Sequence, residues 1–338
     1  MTPNRTIAVF GAYGHTGRFV ISELRKRGWT AILSGRDAGK LNRLRETYAG
    51  LDIRAASIDS PASLDRALEG AAAVINCAGP FVDTAPPLIE AALRAGIHYL
   101  DVTAEQQAAV AAFERFDVPA RGAGIVVVPA MGFFGGLGDL LASAAMGGWA
   151  EADEIAVAYA LDSWRPTLGT RLTGQRNTGP RFVLSKNKLE VLADPSRHSW
   201  TFPAPFGVQE MTGLCLSEII TISRHLRAPE VHASMNLAPL EDIHDPATPA
   251  PIAADESGRS SQIFLVEVRV RRGLDERHAW ARGRDIYAIT APIVVEAAQR
   301  AVTGFTKRYG VAAAGDAFDA RDVLDALCPA HLSLDLGR

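Results

Sequence analysis

TIAVFGAYGHTG occupies residues 6–17 and joins a short apolar run to three glycines that are spaced three apart. The run Thr6 to Phe10 predicts a buried strand, and Thr16 to Arg27 predicts an amphipathic helix that Gly28 ends. Glycines at such a junction permit a tight turn against a diphosphate, and the amides that begin the helix attract anions. Between a plain turn and a phosphate cradle, this context favours the cradle. The residues expected to form it are Gly11, Tyr13, Gly14, His15, Thr16 and Gly17.

The chain alternates apolar runs with amphipathic segments as far as about residue 130, which predicts β-α units and a parallel sheet. A helix is expected to begin at Pro86 and Pro87, because proline is tolerated in a first turn. The fold class is therefore α/β, a Rossmann doubly wound parallel sheet. The six expected strands lie at 6–10, 30–33, 53–58, 72–76, 99–102 and 124–128.

The periodicity changes after Leu137. Residues 262–271 alternate with period two, and residues 273–276 form a turn into 278–282, which predicts a hairpin in a mainly antiparallel sheet. Helical spacing returns from Ile286 and is expected to extend to Phe305. We expect a Rossmann domain at 1–136, an inserted α+β domain at 137–285, and a C-terminal helical segment at 286–338 that packs back on the Rossmann domain. One face of the inserted sheet is expected either to be solvated or to pair subunits. Residues 246–261 are interpreted as a mobile surface loop.

The second strand ends in Ser34, Gly35 and Arg36, where an enzyme built for NAD would carry an acidic residue for the ribose. Arg36 offers a planar cation for a 2′-phosphate, with Lys40 one helical turn later and Ser34 as a small donor. The alternative is that Arg36 is solvated and Asp37 binds the ribose. The pattern favours NADP over NAD.

Small residues follow the fourth strand, at the sheet edge where nicotinamide is expected to bind. They are Cys77, Ala78, Gly79 and Pro80. Cys77 is interpreted as a small buried hydrophobe and not a nucleophile, because no base is adjacent. Asp59, after the third strand, either contacts adenine or caps the helix after Pro61.

Catalytic candidates are few. Asp101, Thr103 and Glu105 follow the fifth strand and either handle substrate and protons or, for Asp101 and Thr103, cap the next helix. Thr103 is also counted among the cofactor residues. A stretch from Trp164 to Asn177, with Arg165, Arg171 and Arg176, is interpreted as a polar loop that is either solvated or binds an acidic or acyl substrate.

The composition restricts the class of protein. Thirty-five basic and thirty-eight acidic side chains in 338 residues give a formal charge of −3, which argues against nucleic acid as a partner. Three widely spaced cysteines suggest neither a metal site nor disulfides, so a reducing cytoplasm is expected without a cleaved leader. Residues 125–149 carry almost no charge, but Pro129, several glycines and Asp139 argue against a stable membrane span.

Several of these segments together resemble the saccharopine dehydrogenase-like family. They are Gly11 to Gly17, Ser34 to Arg36, Asn76 to Phe81, His98 to Glu105 and Gly283 to Asp285. The resemblance implies an NADP(H)-dependent oxidoreductase with an inserted domain for substrate and dimerisation, and hence a homodimer. It also implies action on a C=N, C=C or C=O bond of a small-molecule substrate, since the family ranges from saccharopine reductases to trans-acting enoyl reductases. No familiar substrate motif lies between about 150 and 260. Two alternatives are a non-catalytic NADPH sensor or scaffold and an NmrA-like or isoflavone-reductase-like reductase.

Overall fold

A computed structural model describes residues 4–192 and 195–337, which form two sheets. The first sheet has seven strands, all parallel, in the order β15-β6-β5-β4-β1-β2-β3. This order reverses direction between β1 and β4, which is where doubly wound sheets bind their ligands. The strands are β1 (Thr6–Phe10), β2 (Thr30–Gly35), β3 (Asp52–Ala55), β4 (Ala73–Asn76), β5 (His98–Asp101), β6 (Val126–Val128) and β15 (Gly310–Val311).

Helices cover both faces of this sheet because alternate residues of each strand point to opposite sides. The helices of the first part of the chain are α1 (His15–Lys26), α2 (Ala38–Thr47), α3 (Pro61–Leu68), α4 (Phe81–Ala95), α5 (Gln106–Ala123) and α6 (Gly136–Met146). The later ones are α7 (Leu168–Arg176), α8 (Ser217–Ser223), α9 (Leu237–His244), α10 (Ile286–Val302), α11 (Ala314–Ala317) and α12 (Ala320–Ala326). Ile7 and Val9 pack in one apolar core with α1 and α10, whereas Ala8 and Phe10 pack in another with α3, α4 and α5.

The second sheet has nine strands and is mainly antiparallel, with β12 and β7 as a parallel pair. Its longest hairpin, β13 with β14, has the register Phe264↔Gly283 and Arg272↔Asp275. The predicted fold class, a Rossmann sheet with a second, mainly antiparallel sheet, is therefore confirmed. The strands are β7 (Glu154–Leu161), β8 (Phe182–Ser185), β9 (Lys188–Val191), β10 (Arg197–Thr201), β11 (Val208–Gly213), β12 (Glu230–Asn236), β13 (Ile263–Arg272), β14 (Asp275–Arg284) and β16 (Ser333–Asp335).

The last part of the chain joins the two sheets. α10 packs against α1, and Arg27, the residue that follows α1, donates to Glu296 of α10 at 2.5 Å. β15 then adds a parallel edge strand to the first sheet, and β16 adds an antiparallel edge strand to the second. We expected the segment after residue 285 to be helical. It also contains the strands β15 and β16, because each sheet has an edge that one of these strands completes.

Three local predictions were wrong. α4 begins at Phe81, so Pro86 and Pro87 lie inside the helix and not at its start. Residues 168–176, expected as a loop, form α7, whose first turn is capped by the Thr167 hydroxyl. α10 was expected to extend to Phe305 but ends at Val302. Phe305 is exposed because it lies beyond the buried face of this helix.

The apolar stretch 125–149 is divided between strand β6 and helix α6. Within residues 4–192 and 195–337, every helix is too short or too polar to cross a bilayer.

Candidate cofactor and substrate site

The turn after β1 requires glycine at two positions. Gly11 has φ +85, and a Cβ there would lie 2.9 Å from the backbone nitrogen of Ala78. A Cβ on Gly17 would lie 2.3 Å from the carbonyl oxygen of Gly11. The turn is fixed by the amides of Gly11 and Ala12, which donate to the Ser34 carbonyl at 2.9 and 3.0 Å. The sequence therefore folds into a turn so tight that side chains would block it.

The start of α1 is open to an anion. Gly14 is the N-cap and supplies no side-chain bond, and the first turn contains no acidic residue. The amides of His15, Thr16 and Gly17 lie in this first turn, where backbone donors have no partner within the helix. Donors in this arrangement fit a diphosphate, so the glycines and this first turn would hold the bridge of a dinucleotide.

His15 lies at the side of the cradle, and its ring contacts Phe19 and Tyr287 edge-on, with centroids 5.2 and 5.3 Å apart. Its Nε2 atom is buried and has no hydrogen-bond partner among the residues that the structure describes. Burial lowers the pKa of His15, and the charge of Asp285 offsets part of that effect. The imidazole is therefore neutral near pH 7 and contributes contact rather than charge.

The adenosine end of the predicted site lies at the end of β2. The Tyr13 ring covers Gly35, where a Cβ would lie 2.8 Å from Cε1 of the ring. Lys40 Nζ lies 5.6 Å from the centroid of the same ring. Arg36, the next residue in the chain after Gly35, has an exposed side chain. A planar ring and an ammonium thus lie together at the end of β2, next in the chain to an exposed arginine, where the ribose phosphate of NADP is expected.

Two other residues at this end have local roles. Asp37 caps α2, because its Oδ1 atom accepts from the Lys40 amide at 2.9 Å, and that bond lowers the pKa of Asp37. Ser34 is 1% exposed, and its hydroxyl has no partner within the described part of the chain. The hydroxyl is therefore enclosed beside the turn, and its predicted role as a small donor to the 2′-phosphate stays a prediction.

Asp59 is exposed and bonds only within its own turn, where it accepts from the Ser57 hydroxyl at 3.2 Å. The N-cap of α3 is Ser60, and no side chain caps that helix. Asp59 therefore does not cap α3, and the alternative contact with adenine stays a prediction.

The predicted nicotinamide end follows β4. Asn76 is buried, and its amide nitrogen donates to Thr84 and Tyr99 while its oxygen accepts from the Ala78 amide. These bonds fix the path of the backbone through Cys77 and Ala78 to Gly79 and Pro80. Burial, with a smaller effect of the Asp101 charge, raises the pKa of Cys77 to about 12. The thiol is protonated at neutral pH and is no nucleophile.

Asp101 holds the ends of β5 and β6 together. Its Oδ1 atom accepts from the amides of Thr103 and Ala130 at 3.0 and 2.8 Å, and its Oδ2 atom accepts from the Tyr99 hydroxyl at 2.9 Å. Burial raises the pKa of Asp101 to about 6, against the opposite effect of these bonds. Thr103 is buried beside it, and its hydroxyl accepts from the Glu105 amide at 3.0 Å.

Glu105 caps α4 from the neighbouring segment. Its two oxygens accept from the amides of Phe81 and Val82 at 2.7 and 3.0 Å, and only 1% of the residue is exposed. Burial raises its pKa, although the two amides oppose the effect. The structure brings Asp101, Thr103 and Glu105 together at one sheet edge, with the carboxylates bound by backbone donors.

A buried polar group behind this edge was missed by the sequence analysis. The Oε2 atom of Glu218 accepts from the Gly135 amide at 3.1 Å, and Ser217 donates to the Thr103 carbonyl at 3.1 Å. Burial raises the pKa of Glu218 to about 7. Asp139, also buried, accepts from His225 at 3.1 Å. No local pattern marks these residues, since their partners are far away in sequence.

Helix α7 of the second half lies across the nicotinamide end of the site. The Thr173 hydroxyl is 2.5 Å from the position of a Cβ on Gly79, and Arg176 lies 3.0 Å from Asp83 in the first turn of α4. Near the N-terminus of α7, the Thr170 hydroxyl forms a hydrogen bond with the Tyr287 hydroxyl at 2.9 Å. Sequence analysis found the stretch but not its helix, its position or Tyr287.

The part of the chain that forms most of the first sheet is similar in sequence to known proteins. Residues 7–127 match the model of the saccharopine dehydrogenase NADP binding domain. The saccharopine dehydrogenase-like oxidoreductase of Bos taurus is 29% identical over 145 residues, which cover 38% of this chain and 34% of that protein. The trans-acting enoyl reductase of Mycobacterium ulcerans is 27% identical over 133 residues, 38% of this chain and 32% of that protein. The match thus spans about a third of the curated relatives.

The two-sheet architecture also has a counterpart among solved structures. Apo saccharopine dehydrogenase (L-Glu forming) of Saccharomyces cerevisiae superposes with a TM-score of 0.67, covering 98% of this chain and 99% of that chain at 12% identity. At this identity the likeness concerns the fold. Residues 7–127 are therefore a nicotinamide-dinucleotide-binding domain of the saccharopine dehydrogenase type, and the whole chain has the saccharopine dehydrogenase fold.

Proposed function

We propose that the protein is an NADPH-dependent reductase that reduces a C=N, C=C or C=O bond of a small or acyl substrate. The observation that carries this proposal is the turn at Gly11 and Gly17, which has no room for a side chain and opens onto the uncapped first turn of α1. The names of its relatives, saccharopine dehydrogenase-like oxidoreductase and trans-acting enoyl reductase, support a reductase. The dinucleotide would supply the hydride.

The preference for NADP over NAD is part of the proposal. Arg36 is exposed and Lys40 is close by, so two cations are available to a 2′-phosphate. Asp37, the acidic residue that follows Arg36, already accepts the Lys40 amide as a helix cap. A carboxylate committed to a helix N-terminus is a poor partner for ribose hydroxyls.

We further propose that Asp101 and Glu105 are positioning residues. Both are almost fully buried and both accept bonds from backbone amides. Asp101 fixes the end of β5 against the segment after β6, and Glu105 fixes the first turn of α4, which follows the Gly79 to Pro80 loop. Together they would hold the surface against which the nicotinamide half lies.

The test has two parts. NADPH and NADH are titrated into the purified protein by fluorescence, and NADPH consumption is followed with a panel of imines, enones and carbonyl compounds. We expect tighter binding of NADPH and turnover with one class. Absence of affinity for both coenzymes would refute the proposal. Tight binding with no turnover of any class would instead favour the NADPH sensor.

Assembly and location are further parts of the proposal: the family resemblance supports a homodimer, and the cysteine content supports a cytoplasmic location. We propose a homodimer in the cytoplasm, and the three free cysteines are compatible with a reducing compartment. Light scattering of the purified protein would give the mass of the particle, and a monomeric mass would contradict the dimer.

A further inference from the structure

We propose that helix α7 is a lid over the dinucleotide channel, and that Tyr287 is the positioning residue that couples it to the phosphate cradle. The inference rests on the function proposed above, since it requires a dinucleotide along the Gly11 to Gly17 turn and the Gly79 loop. It assigns a role to a segment that carries no recognised substrate motif.

The two ends of α7 lie beside two parts of the proposed dinucleotide site, the phosphate cradle and the loop that contains Gly79. At the N-terminal end, the Tyr287 hydroxyl accepts from Trp164 Nε1 at 3.1 Å and from the Thr167 amide at 3.3 Å, and it bonds with the Thr170 hydroxyl at 2.9 Å. The ring of the same tyrosine touches His15, the first residue of α1. One side chain thus contacts both the helix and the phosphate cradle.

The C-terminal end of α7 contacts the loop after β4, which contains Gly79 and is where the nicotinamide is expected. The Thr173 hydroxyl lies 2.5 Å from the Cβ position of Gly79, a distance that leaves no space for another group between them. Arg176 pairs with Asp83 at 3.0 Å, one turn further along. A ring that lies along Gly79 has to displace the Thr173 hydroxyl, and an outward movement of α7 would remove that hydroxyl together with the Arg176 ion pair.

The contacts that hold α7 are weak enough for such a movement. None of its nine residues is buried, and two of its leucines remain in water, Leu168 at 73% and Leu172 at 45% exposure. An isolated helix of this length is marginal, and an exposed ion pair such as Arg176 with Asp83 contributes about 0–1 kcal/mol. Segments with few buried contacts open at low free energy and commonly serve as lids.

The first measurement is hydrogen–deuterium exchange of the full chain with and without NADPH. We expect NADPH to slow exchange in peptides that cover residues 168–176 as well as in those that cover the glycine turn. Unchanged exchange in 168–176, with protection of the glycine turn, would overturn the lid but leave the proposed function intact. No binding of NADPH would overturn both, and the fluorescence titration identifies that case.

The second measurement tests the coupling. Tyr287→Phe keeps the ring against His15 and removes the hydroxyl, so we expect about fivefold faster NADPH dissociation in stopped-flow fluorescence, with an unchanged association rate. Tyr309→Phe, at an exposed tyrosine outside the site, is the matched control. Arg176→Gln, which removes the exposed ion pair with Asp83, should also speed dissociation. Wild-type dissociation rates in both Tyr287→Phe and Arg176→Gln would refute the coupling, since a purely structural tyrosine would lower only the melting temperature.

Discussion

The Cβ position of Gly17 lies 2.3 Å from the carbonyl oxygen of Gly11, so these two residues touch through backbone alone. The contact is what brings the first turn of α1 against the end of β1. It also explains how the three-residue glycine spacing gives a turn free of side chains, although this spacing differs from the commoner dinucleotide pattern.

Gly17→Ala should abolish coenzyme binding. The added methyl group cannot be relieved by rotating a side chain, because its neighbour is backbone, so the turn must widen. We expect at least about a hundredfold weaker NADPH binding in the titration, with a loss of stability of a few kcal/mol, the range of overpacking. Gly122→Ala on α5 is the control, since its Cβ would meet nothing within 4 Å. Equal affinities of the two variants would contradict the cradle.

Arg36→Ala should separate the two coenzymes. Removal of a charge-assisted bond to the 2′-phosphate is expected to weaken NADPH by about 10- to 100-fold and to leave NADH nearly unchanged. Arg45→Ala, an exposed arginine at the other end of α2, corrects for the loss of one positive charge. If both coenzymes weakened equally, Arg36 would not be the phosphate ligand.

Glu105→Ala should destabilise the protein before it affects chemistry. The amides of Phe81 and Val82 would lose their acceptors in a buried place, which costs about 2–4 kcal/mol in the free energy of unfolding. Denaturant unfolding measures this change, and Glu114→Ala on the exposed side of α5 is the control. Unchanged stability with a large loss of turnover would make Glu105 a catalytic group instead of a positioning residue.

Glu218 should make stability depend on pH. Because burial raises its folded pKa from 4.5 to about 7, the neutral carboxyl stabilises the fold fully below about pH 4.5, and this stability is lost as the pH rises through about 7. Glu218→Gln keeps an acceptor for the Gly135 amide and removes the titration. We therefore expect the free energy of unfolding of the variant, measured with denaturant, to rise relative to that of the wild type as the pH increases from about 5 to about 8. Parallel pH profiles would show that the carboxyl does not titrate in this range.

Local signals predicted the first β-α unit well. The strand Thr6–Phe10 has the expected bounds, and α1 begins one residue before the expected Thr16 and ends one before the expected Arg27. Apolar periodicity and glycine chemistry are encoded within that segment itself. The Rossmann class and the saccharopine dehydrogenase resemblance were accessible for the same reason.

Contacts between distant segments could not be predicted. α4 begins at Phe81, five residues before the prolines, because the carboxylate of Glu105 satisfies its first amides from 24 positions away. The position of α7 over Gly79 and its anchorage on Tyr287 are also tertiary. Only the start of α7 carried a readable signal, since Thr167 precedes Thr170 at capping distance.

The edge strand β15 has a consequence for synthesis of the protein. Its two residues, Gly310 and Val311, reach the parallel sheet only after every strand of the other sheet except the last has been made. While the chain is still leaving the ribosome, β6 is therefore a bare edge that exposes unpaired amides and carbonyls to other nascent chains. Synthesis of residues 310 and 311, rather than completion of the first 136 residues, is therefore what allows this edge to be paired.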